Sequence, residues 1–224
     1  MKLLLAAVLS ACTAGAALAQ AGAPGGDLVP LPAPRHTGSM SLEAALWARQ
    51  SVRSLSRDSA VALADAGQLL WAAQGVNRPN GHRTAPSAGA TYPLELVLVA
   101  SRIQGLAPGV YHYRPAHHDL ETLALGDRLR ALVDSASHQA WVADAAGVIV
   151  FAAVGSRAQR FGARADRFVP MDVGFAGENV YLQAAALGLA TTFAGSVDDS
   201  AAIRVLGMPA EARPLGIMPF GRPR

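Results

Sequence analysis

The chain has 224 residues, of which 51% are hydrophobic and 16% charged, and its formal net charge is +3. This length is enough for one domain with a sizeable core. Lys2 is the only lysine and the arginines are spread among acidic residues, a distribution that argues against a nucleic-acid-binding stripe. Beyond the N-terminus, no apolar run reaches the length of a membrane-spanning helix.

The first nineteen residues are typical of a secretory signal peptide. Lys2 supplies the positive start, residues 3–9 the apolar run, and Ala17-Leu18-Ala19 a small-residue cleavage site before Gln20. Leu9-Ser10-Ala11-Cys12 also resembles a lipoprotein box, with Cys12 as the acylated residue. We favour cleavage after Ala19, because the apolar segment continues past Cys12. The sequence therefore predicts an exported protein with a periplasmic location.

After this segment, the sequence predicts a flexible tether at residues 20–40 and one domain at residues 41–224. The tether is rich in glycine, alanine and proline and has no hydrophobic period. The helices predicted in the domain are residues 42–49 with Ser41 as N-cap, 60–74 with Ser59 as N-cap and Gly75 at the end, 127–137, 156–168, 171–187 and 200–206. The predicted strands are residues 94–100, 109–113, 120–125, 148–154 and 215–220. The helix at 171–187 is nearly all apolar, so we expect it to be buried.

The loop at residues 83–95 joins a helix to a strand and has an unusual composition. It contains Pro86, Ser87 and Gly89 within a few positions. Glycine lets a backbone approach a ligand closely, and proline fixes φ and removes a donor. Such a loop is suited to presenting amides and a hydroxyl to a flat molecule with polar edges. An ordinary helix-to-strand turn has the same composition and remains an alternative.

Two arginine clusters are candidate anion sites. Arg49, Ser51 and Arg53 stand at alternate positions after the first helix, and Arg222 and Arg224 end the chain. Guanidinium groups bind phosphate monoesters bidentately. A solvated helix end and a solubilising chain end are the alternatives. The loop that contains Ala194 and Gly195 has backbone amides that could meet a ligand edge, although an ordinary loop would look the same.

Other chemistries have little support. Ala85-Pro86-Ser87-Ala88-Gly89 resembles the nucleophile elbow of serine hydrolases, but a helix precedes it and a strand follows, the reverse of the order that the elbow needs. His117-His118 lies at a hairpin turn, where adjacent side chains point apart, so no metal site is predicted. The chain has neither a dinucleotide-binding glycine fingerprint nor a phosphate-binding loop with its lysine.

Four motifs, taken together, resemble one known family. They are Arg49-Gln50-Ser51-Val52-Arg53; Ala85-Pro86-Ser87-Ala88-Gly89-Ala90-Thr91-Tyr92-Pro93-Leu94-Glu95; Gly109-Val110-Tyr111-His112-Tyr113; and Asp172-Val173-Gly174 followed by Glu178-Asn179-Val180-Tyr181-Leu182-Gln183-Ala184-Ala185-Ala186-Leu187-Gly188-Leu189. In this order they resemble the nitroreductase-like flavoproteins, and most closely the SagB/ThcOx branch, which includes thiazoline and oxazoline oxidases. The resemblance implies an α+β fold, an α/β/α sandwich with a mixed central sheet. It also implies an obligate homodimer with FMN at the subunit interface.

The resemblance implies roles for both arginine clusters. Arg49 and Ser51 would bind the FMN phosphate, and Arg222 and Arg224 would complete that site. Arg53 would reach the ribityl chain and the N1–C2 carbonyl edge of the flavin. A cation at this edge stabilises the negative charge of reduced flavin and so raises its potential.

The resemblance also implies how the two loops would meet the isoalloxazine ring. Pro86, Ser87 and Gly89 would contact the ring bound to the partner subunit. Ala194 and Gly195 would give backbone amides to N5 and O4. No residue is assigned a catalytic role.

The sequence departs from the family pattern at two places. Gln50 replaces the second arginine of the opening motif, and Arg160-Phe161 stands where the azole-forming oxidases resemble one another in a Lys-Tyr pair. Phenylalanine cannot exchange a proton and arginine does not release one near neutral pH. We therefore predict an exported FMN-dependent oxidoreductase that transfers a hydride or electrons through flavin N5 to an unknown small substrate. The alternatives are a non-catalytic flavin-binding protein and an azoline-type dehydrogenase acting on a modified peptide.

The N-terminal interpretation can be tested by the intact mass of the protein exported from a bacterial host. Cleavage after Ala19 predicts a mature chain that begins at Gln20 and carries no lipid. A diacylated chain that begins at Cys12 would contradict this prediction, and so would an unprocessed chain in the cytoplasm.

Overall fold

The computed structural model describes residues 26–209 and 211–224. The predicted signal peptide, Cys12 and residues 20–25 of the predicted tether lie outside the described residues.

The described chain forms nine strands and five α-helices. The strands are β1 (Leu28–Pro30), β2 (Val61–Ala62), β3 (Leu94–Ala100), β4 (Ile103–Gln104), β5 (Gly109–Arg114), β6 (Asp119–Leu125), β7 (Gly147–Val154), β8 (Ala190–Thr191) and β9 (Ala212–Gly221). The helices are α1 (Leu42–Ala48), α2 (Leu63–Gln74), α3 (Leu129–Leu132), α4 (Ala165–Ala186) and α5 (Asp199–Leu206). Short 3₁₀ segments cover Ala88–Ala90, Ala140–Asp144 and Gly155–Arg164, and a π-helical turn covers Val133–Ser137.

The central sheet has seven strands in the order β1-β6-β5-β3-β7-β9-β8. Each neighbouring pair in it is antiparallel, so the prediction of a mixed sheet is wrong for the described residues. The parallel pair that the structure describes is the two-residue contact between β2 and β4, outside this sheet. Strand direction depends on the path of each connection, and apolar runs in the sequence carry no information about that path.

Helices cover both faces of the sheet, which confirms the predicted α/β/α sandwich. Alternate residues of β3 point to opposite faces, as the period of a strand requires. Leu96 and Leu98 pack with α2 and α4 on one face, and Val97 and Val99 pack with α3 and α5 on the other. Strand β7 is buried along almost its whole length, because both layers cover it.

The prediction of a flexible tether is wrong from residue 26 onward. Strand β1 pairs with β6 and becomes an edge of the sheet, where Pro30 is tolerated. Leu31 is buried in the core. The Arg35 backbone N–H donates to the buried Gln68 side chain at 2.8 Å, and Gln68 donates back to the Arg35 carbonyl at 3.1 Å. These long-range bonds attach a segment that has no periodic signal of its own.

Helix boundaries agree with the sequence where a local side chain decides them. Ser41 accepts a hydrogen bond from the Ala44 N–H at 3.1 Å, so its predicted capping role is confirmed. Ser59 instead bonds the Ser56 hydroxyl, and α2 starts later because residues 61–62 pair with β4. The helix predicted at 127–137 is interrupted, since α3 passes into the π-helical turn after four residues.

Helix α4 is longer and less buried than predicted. It spans 22 residues and begins before the apolar run. Val173, Ala176 and Val180 face the core, but Met171 and Phe175 on the opposite side are half exposed. The expectation of complete burial is therefore wrong for the single chain.

A network of charged side chains lies on the sheet surface beyond α3 and α5. His112 Nε2 lies 2.5 Å from Glu95 Oε2, and His112 Nδ1 lies 3.6 Å from Glu121. Arg157 forms an ion pair with the same Glu95. The hydrogen bond that His112 donates to Glu95 raises the pKa of His112 against the opposing effect of burial. Burial alone would raise the pKa of Glu95, but His112 and Arg157 outweigh it and lower that pKa.

This network predicts a pH-dependent contribution to stability. Because folding raises the pKa of His112, the protonated side chain stabilises the folded state. This stabilisation is complete below the ordinary histidine pKa of 6.5 and is lost as the pH rises through the folded-state pKa. Glu95 stays ionised down to below its ordinary 4.5. We expect His112→Gln to lower the free energy of unfolding by about 1 kcal/mol at mildly acidic pH and by less under alkaline conditions.

Urea unfolding at the two pH values measures this difference. The matched control is His82→Gln in the exposed loop after α2, which forms no ion pair among the described residues and should change the free energy of unfolding little at either pH. An equal loss for His112→Gln at acidic and alkaline pH would show that the charged form of His112 adds nothing.

Candidate functional site

Three distant segments meet beside the C-terminal half of α4. They are the arginine segment (residues 49–53), the 191–195 loop and the C-terminal tail (residues 222–224). The Val52 N–H donates to the Thr191 carbonyl, and the Thr192 hydroxyl donates to the Val52 carbonyl, both at 2.9 Å. The Arg224 N–H donates to the Ser54 carbonyl at 3.1 Å, which fixes the tail to the same segment. The structure thus brings together both predicted arginine clusters and the predicted amide loop.

Tyr181 of α4 is the centre of this cluster, although it was not among the predicted site residues. Its hydroxyl lies 3.0 Å from Ser51 Oγ and accepts a hydrogen bond from the Phe193 N–H at 2.7 Å. The guanidinium of Arg49 lies 5.0 Å from the centre of its ring, within cation–π range. Arg49 is also 3.9 Å from Glu178, one turn earlier on α4. The motif that contains Tyr181 was recognisable in the sequence, but its contacts depend on the tertiary fold.

The other arginines of the predicted flavin site have separate contacts. Arg53 is exposed, with its guanidinium 5.9 Å from the ring centre of Trp141. Arg222 donates to the Leu187 carbonyl at the end of α4 at 3.3 Å, and it lies 3.7 Å from Asp65. A cation is favourable at this position, because the carbonyl groups at a helix C-terminus carry partial negative charge. Arg224 is exposed at the end of the chain.

The 191–195 loop only partly fits its predicted role. The Ala194 N–H donates to the Ile217 carbonyl and the Ala194 carbonyl accepts from the Ile217 N–H, both at 2.9 Å. The prediction that the Ala194 amide is available to a ligand is therefore wrong, because β9 already binds it. Gly195 is exposed, and its N–H has no acceptor among the described residues. A β-carbon added at Gly195 would meet only the Phe193 ring at 3.8 Å, so there is open space beside this residue.

A small groove of about 200 Å³ lies between α4, the arginine segment and the tail. Gln50, Val52, Tyr181, Thr191 and Pro223 contribute to its walls, together with small residues at the end of α4. Larger grooves surround Trp71 and include the segment that follows β1. None of the predicted site residues lines the small groove or these larger ones, although the small groove lies between segments that carry them.

Asp172 of α4 fixes the predicted flavin loop, which we call the Pro86 loop (residues 86–92). Ser87 Oγ donates to the Asp172 carboxylate at 2.6 Å, and the Ala88 N–H donates to it at 3.4 Å. Ser87 Oγ in turn accepts from the Tyr92 N–H at 3.0 Å. Burial raises the pKa of Asp172, although both hydrogen bonds oppose this shift. The Ser87 hydroxyl is therefore held inside its own chain, while Pro86 is exposed.

Arg160 also contacts the Pro86 loop. Its guanidinium donates to the Gly89 carbonyl and lies 4.9 Å from the centre of the Phe161 ring. Gly89 has a φ of 53°, and a β-carbon there would collide with Arg160. The positive φ favours glycine at this position, and a side chain there would displace the guanidinium end of Arg160.

Within one chain, the Pro86 loop and the arginine cluster remain apart. Their anchors, Asp172 and Tyr181, are nine residues apart on the same helix. At the rise of an α-helix this is about 13 Å along its axis. The predicted contribution of Pro86, Ser87 and Gly89 to the site therefore requires a second subunit or a ligand that spans this distance.

Among the described residues, no group of histidine, cysteine or carboxylate side chains is placed to hold a metal ion. None of the described helices is both long and apolar enough to cross a bilayer.

Comparisons with known proteins agree on one family. The family model described as "Nitroreductase family" matches residues 46–222. A protein of Methanocaldococcus jannaschii that is named as a nitroreductase, MJ1384, is 37% identical over 184 residues, which cover 82% of this chain and 91% of that protein.

Solved structures show the same fold. A protein of Ralstonia eutropha JMP134, also named as a nitroreductase, superposes with a TM-score of 0.77 at 29% identity, covering 88% of this chain and 90% of that one. A chain of the E. coli microcin synthetase McbBCD complex superposes with a TM-score of 0.66 at 22% identity over 86% of this chain and 76% of its own length, which shows a shared fold alone. Members of the matched family are generally flavin-dependent oxidoreductases. The chain belongs to the nitroreductase family.

Proposed function

We propose that this chain binds FMN and is an FMN-dependent oxidoreductase. The observation that carries the proposal is the meeting of Arg49 and Ser51 at Tyr181, which also binds the 191–195 loop that contains the exposed Gly195. Arg49, Ser51 and Gly195 come from two distant parts of the chain and supply one cation and two donors, beside the Glu178 carboxylate that lies 3.9 Å from Arg49. A donor set of this kind favours an anionic ligand whose edge accepts hydrogen bonds.

The chemistry of this donor set fits FMN. A phosphate monoester offers only acceptor oxygens and is matched by guanidinium and hydroxyl donors. Arg49, Ser51, Arg222 and Arg224 would hold the phosphate, and Arg53 would lie toward the ribityl chain. The Gly195 N–H would bind the polar edge of the isoalloxazine without help from Ala194. Bound FMN would supply hydride and single-electron transfer, while the chain itself positions the ring and its substrate.

Binding and activity can be separated in one series of measurements. We expect the purified mature chain to form a bound yellow species with added FMN and to quench flavin fluorescence. After photoreduction, an enzyme should pass electrons to oxygen or a nitroaromatic faster than free FMN does. Reoxidation at the rate of free FMN would favour a non-catalytic flavin-binding protein, and absence of any bound flavin would refute the proposal.

We further propose that the protein is a homodimer with FMN at the interface. The support is a group of exposed apolar side chains on the neighbouring helices α1 and α4, which we call the apolar face: Leu42, Leu46, Trp47, Met171 and Phe175. These side chains are between 49% and 93% exposed in the single chain. An apolar surface of this extent is typical of a protein interface. A partner seated on it would also account for a Pro86 loop that serves the site of another subunit.

Trp47→Arg should weaken this dimer, because it places a charge at the most exposed side chain of the apolar face. We expect sedimentation velocity to show a dimer for the wild type, a shift toward monomer for the variant, and weaker FMN binding in parallel. The matched control is Leu125→Arg on β6, which is also exposed but lies on neither α1 nor α4. A monomeric wild type with full FMN binding would contradict the proposal.

The first nineteen residues support export, and nicotinamide donors are scarce outside the cytoplasm. An azoline-type dehydrogenase of the SagB/ThcOx branch, acting on a modified peptide, is the second candidate. The motif resemblance favours it, and the likeness to a microcin synthetase chain is consistent with it at the level of fold. Against it, Arg160 and Phe161 brace the Pro86 loop and provide no group that exchanges a proton near neutral pH.

A further inference from the structure

We propose that Tyr181 is a positioning residue that turns Ser51 into a hydrogen-bond donor for a phosphate group. The inference rests on the proposed FMN function, because it concerns the phosphate end of that site. It assigns to α4 a role in distinguishing a phosphorylated flavin from an unphosphorylated one.

The direction of one hydrogen bond is fixed by its chemistry. A backbone N–H can only donate, so the bond of 2.7 Å from the Phe193 N–H uses a lone pair of the Tyr181 oxygen. The phenolic proton therefore remains for another acceptor. Ser51 Oγ, at 3.0 Å, is the acceptor available to it among the described residues.

We infer that Tyr181 donates to Ser51 in the second hydrogen bond, although its geometry alone permits either direction. If Ser51 donated to Tyr181, the phenolic proton would have no acceptor within the described part of the chain. If Tyr181 donates to Ser51, both groups are satisfied and the serine proton is free to point away from the protein. Donation by Phe193 also polarises the phenol and strengthens its own donation, as in other hydrogen-bond chains.

The resulting relay runs from the Phe193 N–H through the Tyr181 hydroxyl to the Ser51 hydroxyl. It ends in an outward-facing donor on an exposed residue. The backbone beside Ser51 is immobilised by the two bonds between Val52 and residues 191–192. A phosphate oxygen, which only accepts, is the ligand group that this end of the relay favours.

Tyr181 also places the positive charge next to this donor. The Arg49 guanidinium lies over its ring, at 5.0 Å from the centre. One side chain therefore orients a hydroxyl donor through its oxygen and a guanidinium through its ring face. Riboflavin has no phosphate to use either group, so the relay should act on FMN and not on riboflavin.

The test compares FMN and riboflavin binding to the apoprotein by fluorescence quenching. The measured quantity is the ratio of the riboflavin Kd to the FMN Kd. Any effect of Tyr181→Phe on the 191–195 loop acts on both ligands and cancels in this ratio. We expect Tyr181→Phe to lower the ratio about tenfold, the usual effect of losing one charge-assisted hydrogen bond.

Three further proteins complete the test. Ser51→Ala should lower the ratio by a similar factor, and the double variant Tyr181→Phe/Ser51→Ala should lower it no further, because both residues act through one donor. Tyr111→Phe removes a comparable hydroxyl, whose bond goes to the Ala107 carbonyl away from the site, and should leave the ratio unchanged.

The outcomes separate this inference from the proposed function. If the wild type binds neither flavin, the proposed function fails. If the wild type prefers FMN and Tyr181→Phe retains that preference, the relay is refuted while FMN binding stands. Additive losses in the double variant would also refute it. Should Tyr181→Phe fail to fold, an unchanged ratio in Ser51→Ala alone would overturn the inference.

Discussion

The packing of α4 across one face of the sheet is the contact on which the rest of the site depends. Its inner side is held by buried apolar residues such as Val173 and Val180, so the helix is fixed by the removal of apolar surface from water. Two polar side chains of this helix then bind loops from other parts of the chain. Asp172 holds the Pro86 loop, and Tyr181 holds the arginine segment and the 191–195 loop. A rigid helix sets the distance between these two groups.

Asp172 and Tyr181 both provide hydrogen-bond partners for polar groups whose burial would otherwise cost free energy. Asp172 is 3% exposed, and a carboxylate in this position would be unfavourable without the bonds from Ser87 and Ala88. The same bonds hold a loop in which Gly89, Ala90 and Tyr92 have positive φ values. Strained backbone persists only where its surroundings determine it. The conformation of the Pro86 loop is therefore determined by its contacts with α4 and not only by the need to connect α2 to β3.

Within the single chain, the two groups of residues that are predicted to contact the flavin lie apart. The donors around Tyr181 lie beside the C-terminal half of α4, and the Pro86 loop lies beside its N-terminal half. α4 and the neighbouring α1 also expose large apolar side chains. One assembly, a dimer through the apolar face, would account for both observations. It would also explain why a nearly all-apolar helix is covered on only one side.

The sequence by itself determined the strands at 94–100 and 148–154, the Ser41 cap and the motifs of the nitroreductase family, because each depends on neighbouring residues. It did not reveal that residues 28–30 join the sheet or that the sheet is antiparallel, since those facts depend on pairing with β6 and on the path of the connections. The tertiary structure alone decided that Ala194 gives its amide to Ile217 and that Tyr181 meets Ser51 across 130 positions of sequence. Local patterns report burial and backbone preference, whereas hydrogen bonds between distant segments exist only after the core has brought those segments together.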